Sequence, residues 1–533
     1  MNIVIVGGGT AGWMAAGWLI KKHPKYKITV IESPDIPKIG VGESVTPHVA
    51  SFFNEMGVPS NDWMFKTGSI YKFANKFVNW KEGKGEYEYF SFNYTTDSKL
   101  LYRDIPQPVT KNDWLLDYTH YSIENKTTDL VLELLKTNQI DKFDKFFNSQ
   151  YYYMERNVSP FEGDMYLLNS IYSQSQHINA DLAAEYIRDN LAIPKGVKHI
   201  QSKVTNVEVI GDNISKLILE SGEVITGDLF VDCSGFKRLL ISKLNWKEVL
   251  YKDNPIDSAW VCQLEYDSPD TEMVNYTQSI AQNHGWLFKI GLYHRMGSGY
   301  CFSSSHVSKE NALEEYTGMV SLKGRTPRLI TWTPSRLECA AKGNTFAVGL
   351  SSGFVEPMEA NALFIIVNSI SQLSSTLTRF EQTGFLNFDE ANEKILYSID
   401  DIADFIKVHY SLSSRNTNSF WNDMRSLGVK DNHTDLIFEK YHHKNNYMYN
   451  AVGGYSLFPD YMWAQLATSW GIDTSKWYNK PTELTLELSK MFYVNQERKH
   501  ALLSSSRKNN YQWLKSNVFK DLSSKEWREL VKI

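Results

Sequence analysis

Ile3-Val4-Ile5-Val6-Gly7-Gly8-Gly9-Thr10-Ala11-Gly12 is the stretch that decides the fold of this chain. Four consecutive apolar residues suit a strand buried on both faces of a parallel sheet. The run that follows matches G-x-G-x-x-G and enters a helical pattern through Leu19, and a second strand, Ile28 to Ile31, ends at Glu32, twenty residues after Gly12. In that arrangement Gly7 permits the tight turn, Gly9 lets the backbone reach a pyrophosphate, and Gly12 allows close helix–strand contact. Thr10 and Ala11 open the helix whose N-terminus faces the phosphates, and Glu32 accepts the ribose hydroxyls. With strand, helix and acid in register, the reading is an α/β, Rossmann-type domain holding an adenine dinucleotide. The alternative is a glycine-rich turn in another α/β fold.

Two later stretches favour FAD over NAD. Gly227 to Gly235 is an apolar strand closing on Asp232 and a small-residue turn, and it looks like the second FAD segment of the flavin monooxygenase fold. Ahead of it, Val204 to Val209 and Ile214 to Glu220 alternate like a hairpin around Gly211-Asp212-Asn213. The third piece is Ala347-Val348-Gly349-Leu350, then Ser351-Ser352-Gly353, then a helical run from Ala362 to Leu373. A discontinuous FAD domain over 1–395 follows, with a substrate sheet inserted at roughly 241–345 and a mainly helical region over 396–533. Helices are expected at Asp389 to Val408 and Pro481 to Tyr493, with a Tyr-rich loop from Tyr441 to Tyr461 and surface helices from Arg498 onward. No second G-x-G-x-x-G occurs for NAD(P)H, so reduced flavin is expected from a separate reductase.

The 533 residues, 42% hydrophobic and 22% charged, are ordinary for a soluble globular protein and suit two to four domains. A net charge of −5 with interspersed signs offers no basic face for nucleic acid and no polybasic membrane anchor. Apolar runs such as Ala362 to Val367 are too short to span a bilayer. Strand residues from Ile3 leave no room for a signal peptide, and Cys233, Cys262, Cys301 and Cys339 lack metal-ligand spacing. A cytoplasmic enzyme without a metal is expected, and a homo-oligomer stays open.

Further motifs carry a family resemblance. They are Glu32 to Glu43, Lys76-Phe77-Val78-Asn79-Trp80, Asp232-Cys233-Ser234-Gly235-Phe236, Arg295 to Tyr300, Gly349 to Glu359, and Asp404-Phe405-Ile406 with His409-Tyr410, Arg415 and Phe420-Trp421. In this order they resemble the flavin-dependent halogenases of the tryptophan-halogenase type, from residue 1 to about 425. The resemblance implies that Gly40, Gly42, Val204, Asp232, Gly349 and Leu350 join the glycine loop around FAD. It also implies chemistry: reduced FAD, O2 and halide yield hypohalous acid, which travels through a tunnel to an aromatic carbon. Lys76 would bind or carry the active halogen, and Glu359 would polarise it or take the ring proton. Backbone amides at Asn361 and Ala362 would hold the halide, and Phe92 and Trp286 would line the passage.

Each of these residues has a plainer reading. Lys76 would be a strand-edge lysine like Lys66, Lys72 and Lys81; Glu359 a helix-capping carboxylate; Phe92 and Trp286 core aromatics. Glu43 and Glu356 read as structural or flavin-adjacent, and His442-His443 as surface. Two departures bear on specificity. The family's W-x-W-x-I-P is Trp286-Leu287-Phe288-Lys289-Ile290-Gly291 here, and its Glu-Ser-Thr-Gly is Glu359-Ala360-Asn361-Ala362. An alanine in place of that glycine is unfavourable wherever φ is positive, which leans the halide towards bromide or iodide over chloride. The acceptor is expected to be an electron-rich indole or phenol. The rival enzyme class is an FAD-dependent aromatic hydroxylase; the non-enzymatic one is a flavin-binding scaffold or redox sensor.

Overall fold

The computed structural model describes residues 1–35, 40, 42–58, 60–80, 88–92, 154–159, 161–162, 165–166, 175–430, 457–458, 463, 466 and 508–523. The helix expected at Pro481 to Tyr493 lies outside them, as does most of the Tyr-rich loop. Of the stretch from Arg498 onward, residues 508–523 are described and include a helix, Asn510–Asn517.

The apolar opening strand, Asn2–Val6, sits inside a six-stranded sheet. It pairs in parallel with Lys27–Glu32 on one side and Leu229–Asp232 on the other, so that Ile3 lies opposite both Ile28 and Leu229. Lys198–Gln201 adds outside Lys27–Glu32, and Thr345–Ala347 adds outside Leu229–Asp232. Ala341–Lys342 closes that edge as an antiparallel hairpin. A strand with parallel neighbours on both sides and covered faces has no use for polar residues, which is why Ile3, Val4, Ile5 and Val6 are all buried. The helix Thr10–Lys22 packs down on this sheet, and its approach requires Gly12, where a Cβ would fall 1.8 Å from the Gly7 carbonyl oxygen. The expected hairpin forms as Val204–Ile210 and Asn213–Leu219.

A seven-stranded sheet runs in the order Arg328–Thr331, Ser258–Leu264, Met296–Phe302, Gly285–Gly291, Tyr276–Gln282, Ala74–Val78, Glu88–Phe92. The inserted sheet is therefore not confined to 241–345, because its last two strands come from the first hundred residues. Tyr276–Gln282 presents an open edge, and Ala74–Val78 satisfies it by parallel pairing, with Lys76 opposite Gln278. A three-stranded sheet of Glu43–Ser44, Ser175–Ile178 and Ile70–Lys72 lies beside it. It brings Ser44 and Lys72 onto either side of one central strand.

Two long helices, Asn361–Thr383 and Asp389–Leu412, pack on one another and on the cofactor domain. The domain boundary expected at 395/396 falls inside the second, which runs unbroken through that point, so the helical region is continuous with the FAD domain. Among the described residues no helix is long and apolar enough to cross a membrane.

Candidate active site

The glycine loop opens onto a cleft lined by Gly7, Gly9, Thr10, Ala11, Glu32, Gly40, Val204 and Leu350, with Asp181 and Ser234 opposite. Gly7 has φ +116°, and a Cβ there would sit 2.3 Å from the Cys233 carbonyl oxygen. At Gly9 a Cβ would meet nothing within 4 Å; it would project into open cleft. The helix that starts here has no side-chain cap and no acid in its first turn, so its amides and positive dipole end remain for an anion. A cradle where a pyrophosphate fits, uncapped donors and an acid at the far end match FAD. Glu32 accepts from His199 Nε2 at 2.9 Å, which fixes its carboxylate at the rim.

Three expected cofactor residues act from behind the cleft. Asp232 is fully buried and accepts from Ser234, Leu240 and Ile241 amides, so its carboxylate braces the turn and has no oxygen to offer FAD. Gly12 supports the helix approach already described. Gly349, at φ +67°, leaves 2.6 Å between a would-be Cβ and Ile366, and its role is the turn itself. Gly42, at φ +101°, lines a second cavity rather than this cleft.

That second cavity lies between the seven-stranded sheet and the loop before Asn361–Thr383. Glu43, Leu350 and Ala362 line both spaces and form the partition between them. Its walls are mostly apolar, with Trp286, Phe288, Trp332 and Phe354 around Asn75, Thr277 and Glu359. Its volume is about 120 Å³. Trp286 is buried on this wall, its Nε1 donating to Glu356 Oε1 at 3.0 Å. Tyr410 also donates to Glu356, and burial raises that carboxyl to about 8. Phe92 ends the edge strand opposite Ala74.

Glu359 reaches this cavity through a strained turn. Glu359 and Ala360 both lie in the left-handed region, at φ +61° and +59°. Each costs about 1–2 kcal/mol for a non-glycine residue, and such conformers persist only where the surroundings fix them. Asn361 does the fixing: its side-chain amide donates to the carbonyls of Glu356 at 2.7 Å and Met358 at 2.6 Å. Asn361 is thus a loop clamp, and its own φ is −77°. The positive φ expected at Ala362 is absent because that residue already belongs to the helix. The glycine-to-alanine argument for halide choice falls with it.

The structure places Lys76 on the face of its strand away from this cavity. Asn75 Nδ2 donates to Glu359 Oε2, so Asn75 faces the cavity, and strand alternation turns Lys76 to the other face. There Lys76 pairs with Glu155 at 3.6 Å and lies over the Tyr276 ring. Lys72, which does not line the cavity, is the lysine in the field of Glu359. It is fully buried, contacts the Val45 carbonyl at 3.4 Å, and is lowered from 10.5 to about 7 by burial, with the Glu359 carboxylate partly opposing that shift. Its sequence signal was available: Lys72 interrupts the run Ile70-Tyr71-Lys72-Phe73-Ala74, and a lone lysine among apolar strand residues has nowhere to snorkel. Asn75 and His409, which lies 3.3 Å from Glu359 Oε1, carried no such mark.

A dinucleotide cleft that shares a wall with an apolar cavity holding the carboxylate of Glu359 is the architecture of a flavoenzyme with a second site beside its cofactor. A profile of the tryptophan halogenase family matches residues 2–482. The chain is 31% identical to tryptophan 7-halogenase RebH of Lentzea aerocolonigenes over 444 residues, covering 82% of this chain and 81% of that protein. It is 30% identical to tryptophan 6-halogenase ThaL of Streptomyces albogriseolus over 456 residues, with 82% and 81% covered. The crystal structure of a tryptophan halogenase from Shewanella frigidimarina superposes with a TM-score of 0.80 at 25% identity, over 98% of both chains. The chain belongs to the tryptophan halogenase family. It is a flavin-dependent halogenase of aromatic compounds, using reduced FAD, dioxygen and halide.

Proposed function

We propose that this enzyme halogenates an electron-rich indole or phenol, with Lys72 and Glu359 as the two groups that handle the active halogen. The observation that carries the reading is the buried amine of Lys72 within the field of Glu359, the carboxylate that lines the cavity sharing a wall with the cofactor cleft. The chemistry supplied by bound reduced flavin and dioxygen is oxidation of a halide to hypohalous acid. Lys72, lowered to about 7, offers an ammonium to hydrogen-bond the hypohalous oxygen and a fraction of free amine to carry the halogen. Glu359 receives the proton lost by the ring. The apolar walls keep bulk water from quenching the oxidant.

The halide site we favour is the first turn of Asn361–Thr383, where the uncapped dipole end meets the partition at Ala362. A small apolar cavity penalises dehydration of chloride more than that of bromide or iodide, which supports the larger ions. Reduced flavin from a separate reductase follows from the single dinucleotide fingerprint. The relatives named for tryptophan support an indole, while the changed 359–362 segment leaves free tryptophan itself unfavoured.

The test supplies the protein with a flavin reductase, NADH, FAD and a panel of indoles and phenols, each halide in turn and then in equimolar competition. A halide-dependent gain in product mass is expected, largest with bromide or iodide. A gain of one oxygen regardless of halide would instead identify the hydroxylase, the reading that the altered Trp286 to Gly291 segment favours. Bleaching of FAD by NADPH without a reductase would remove the two-component scheme.

A further inference from the structure

We propose that Glu43 is a proton donor of the reaction, supplying the proton consumed when halide is oxidised beside the flavin. The inference rests on the reading that this oxidation yields hypohalous acid.

Position is the first argument. Glu43 lines both the cofactor cleft and the apolar cavity, and the two residues that share this place with it, Leu350 and Ala362, have no ionisable group. Its backbone is held from two sides. Glu43 pairs with Ile178 in the small three-stranded sheet. Three residues earlier, the Gly40 carbonyl accepts from Gln263 Nε2 and lies 3.4 Å from a guanidinium nitrogen of Arg295.

The carboxyl is held by nothing. Nearby acids are all engaged: Glu32 by His199, Glu356 by Trp286 and Tyr410, Glu359 by Asn75, while Asp181 lies in the field of Arg295. Among the described residues the Glu43 side chain makes no hydrogen bond. A carboxyl withdrawn from water without a partner costs the fold stability, and such groups concentrate where chemistry uses them.

The surroundings favour its protonated form. Withdrawal from water, helped by the negative charge of Asp181, raises it from 4.5 to about 7. Beside it in the sheet, His177 lies opposite Ser44 and is lowered to about 3, chiefly by burial and then by Lys72, so it brings no charge. Lys72 and Arg295, the buried cations nearby, lie in the fields of Glu359 and Asp181. Of the other groups on the cleft, burial raises the Cys233 thiol well above its ordinary range, and Lys203 and Lys237 are exposed to solvent.

The balance of the reaction asks for such a donor. Halide, reduced flavin, dioxygen and one proton give hypohalous acid, oxidised flavin and water. Dioxygen gains four electrons, two from halide and two from the flavin. One oxygen leaves bonded to halogen and the other leaves as water. The Glu43 O–H bond breaks, its electron pair stays on the carboxylate, and the proton joins the oxygen that becomes water. Solvent then restores the acid. Without that donation, reduced flavin and dioxygen give oxidised flavin and hydrogen peroxide instead.

The test measures trapped hypohalous acid and hydrogen peroxide per NADH consumed, with an external reductase and no aromatic present. Glu43→Gln should lower the trapped oxidant about tenfold or more, with peroxide rising to match, while FAD binds within about twofold of wild type. Glu43→Met takes its place if the glutamine variant does not fold. In the wild type the yield should fall as pH rises from 6 to 9, and in the variant it should be low throughout. Infrared difference spectra of the cofactor-free protein over the same range should contain a protonated-carboxyl band that Glu43→Gln lacks and Glu356→Gln keeps. A variant yield equal to wild type, a wild-type yield flat with pH, a lost affinity for FAD, or a missing Glu43 band each overturns the proposal and leaves the hypohalous reading standing. A wild type that halogenates aromatics yet releases no trappable oxidant removes that reading, and this inference with it.

Discussion

Asn75 donates its side-chain amide to the carboxylate of Glu359 across 284 residues of sequence. This one bond sets the facing of the strand Ala74–Val78, and with it the fate of the lysines on either side. Lys76, next in the strand, must point away. Lys72, three residues earlier on a separate strand of the neighbouring small sheet, is the one in the field of that carboxylate.

Lys72→Met should reduce halogenation by about 10²-fold or more, as expected for losing a positioned catalytic group. Lys76→Ala should stay within about threefold of wild type, because Lys76 faces away from Glu359 and its pair with the partly exposed Glu155 contributes at most about 1 kcal/mol. Product mass per unit of oxidised NADH, with an external reductase, compares the two. Equal losses would refute the distinction.

Gly9→Ala and Gly12→Ala should fail in different ways. The added methyl at Gly9 enters open cleft, so the protein should fold with an unchanged melting temperature yet bind FAD at least tenfold more weakly. At Gly12 the methyl collides with the Gly7 carbonyl at 1.8 Å, and the protein should lose stability or not accumulate. Flavin titration alongside thermal melts separates them.

Glu356→Gln probes a pH dependence of definite sign. Burial raises Glu356 from 4.5 to about 8. Between those values the folded protein keeps a proton that the unfolded chain has lost, so this group's contribution to stability falls as pH rises. Glutamine has no proton to lose and still accepts from Trp286 and Tyr410. The melting temperature of the variant relative to wild type should therefore climb from pH 5 to pH 8, and a flat difference would contradict the buried acid. Lys72 works in the opposite sense: lowered to about 7, it makes the wild type gain stability as pH rises from there towards 10.5.

Ala360→Gly should stabilise the protein by up to about 1 kcal/mol, because glycine occupies φ +59° without the Cβ clash that alanine bears there. Urea melts measure this. A loss of stability would mean that the methyl's packing in the cavity wall outweighs the strain.

The sequence alone determined the cofactor half of this protein. Ile3 to Gly12, Glu32 and the strand ending at Asp232 are local patterns whose spacing has one geometric solution, and the six-stranded sheet assembles them in that way. Glu359 was also legible, since its motif immediately precedes a long helix. What only the tertiary structure decided was the facing of short polar strand segments. Side chains alternate every residue along a strand, so choosing between Lys72 and Lys76 requires knowing which face the neighbouring sheet buries. That face was set by a parallel pairing with Tyr276–Gln282, two hundred residues away, and by the carboxylate that Asn75 meets there. The positive φ values followed the same logic. They fell at Glu359 and Ala360 rather than Ala362 because the clamp of Asn361 on Glu356 and Met358 begins the helix one residue sooner than the motif suggests.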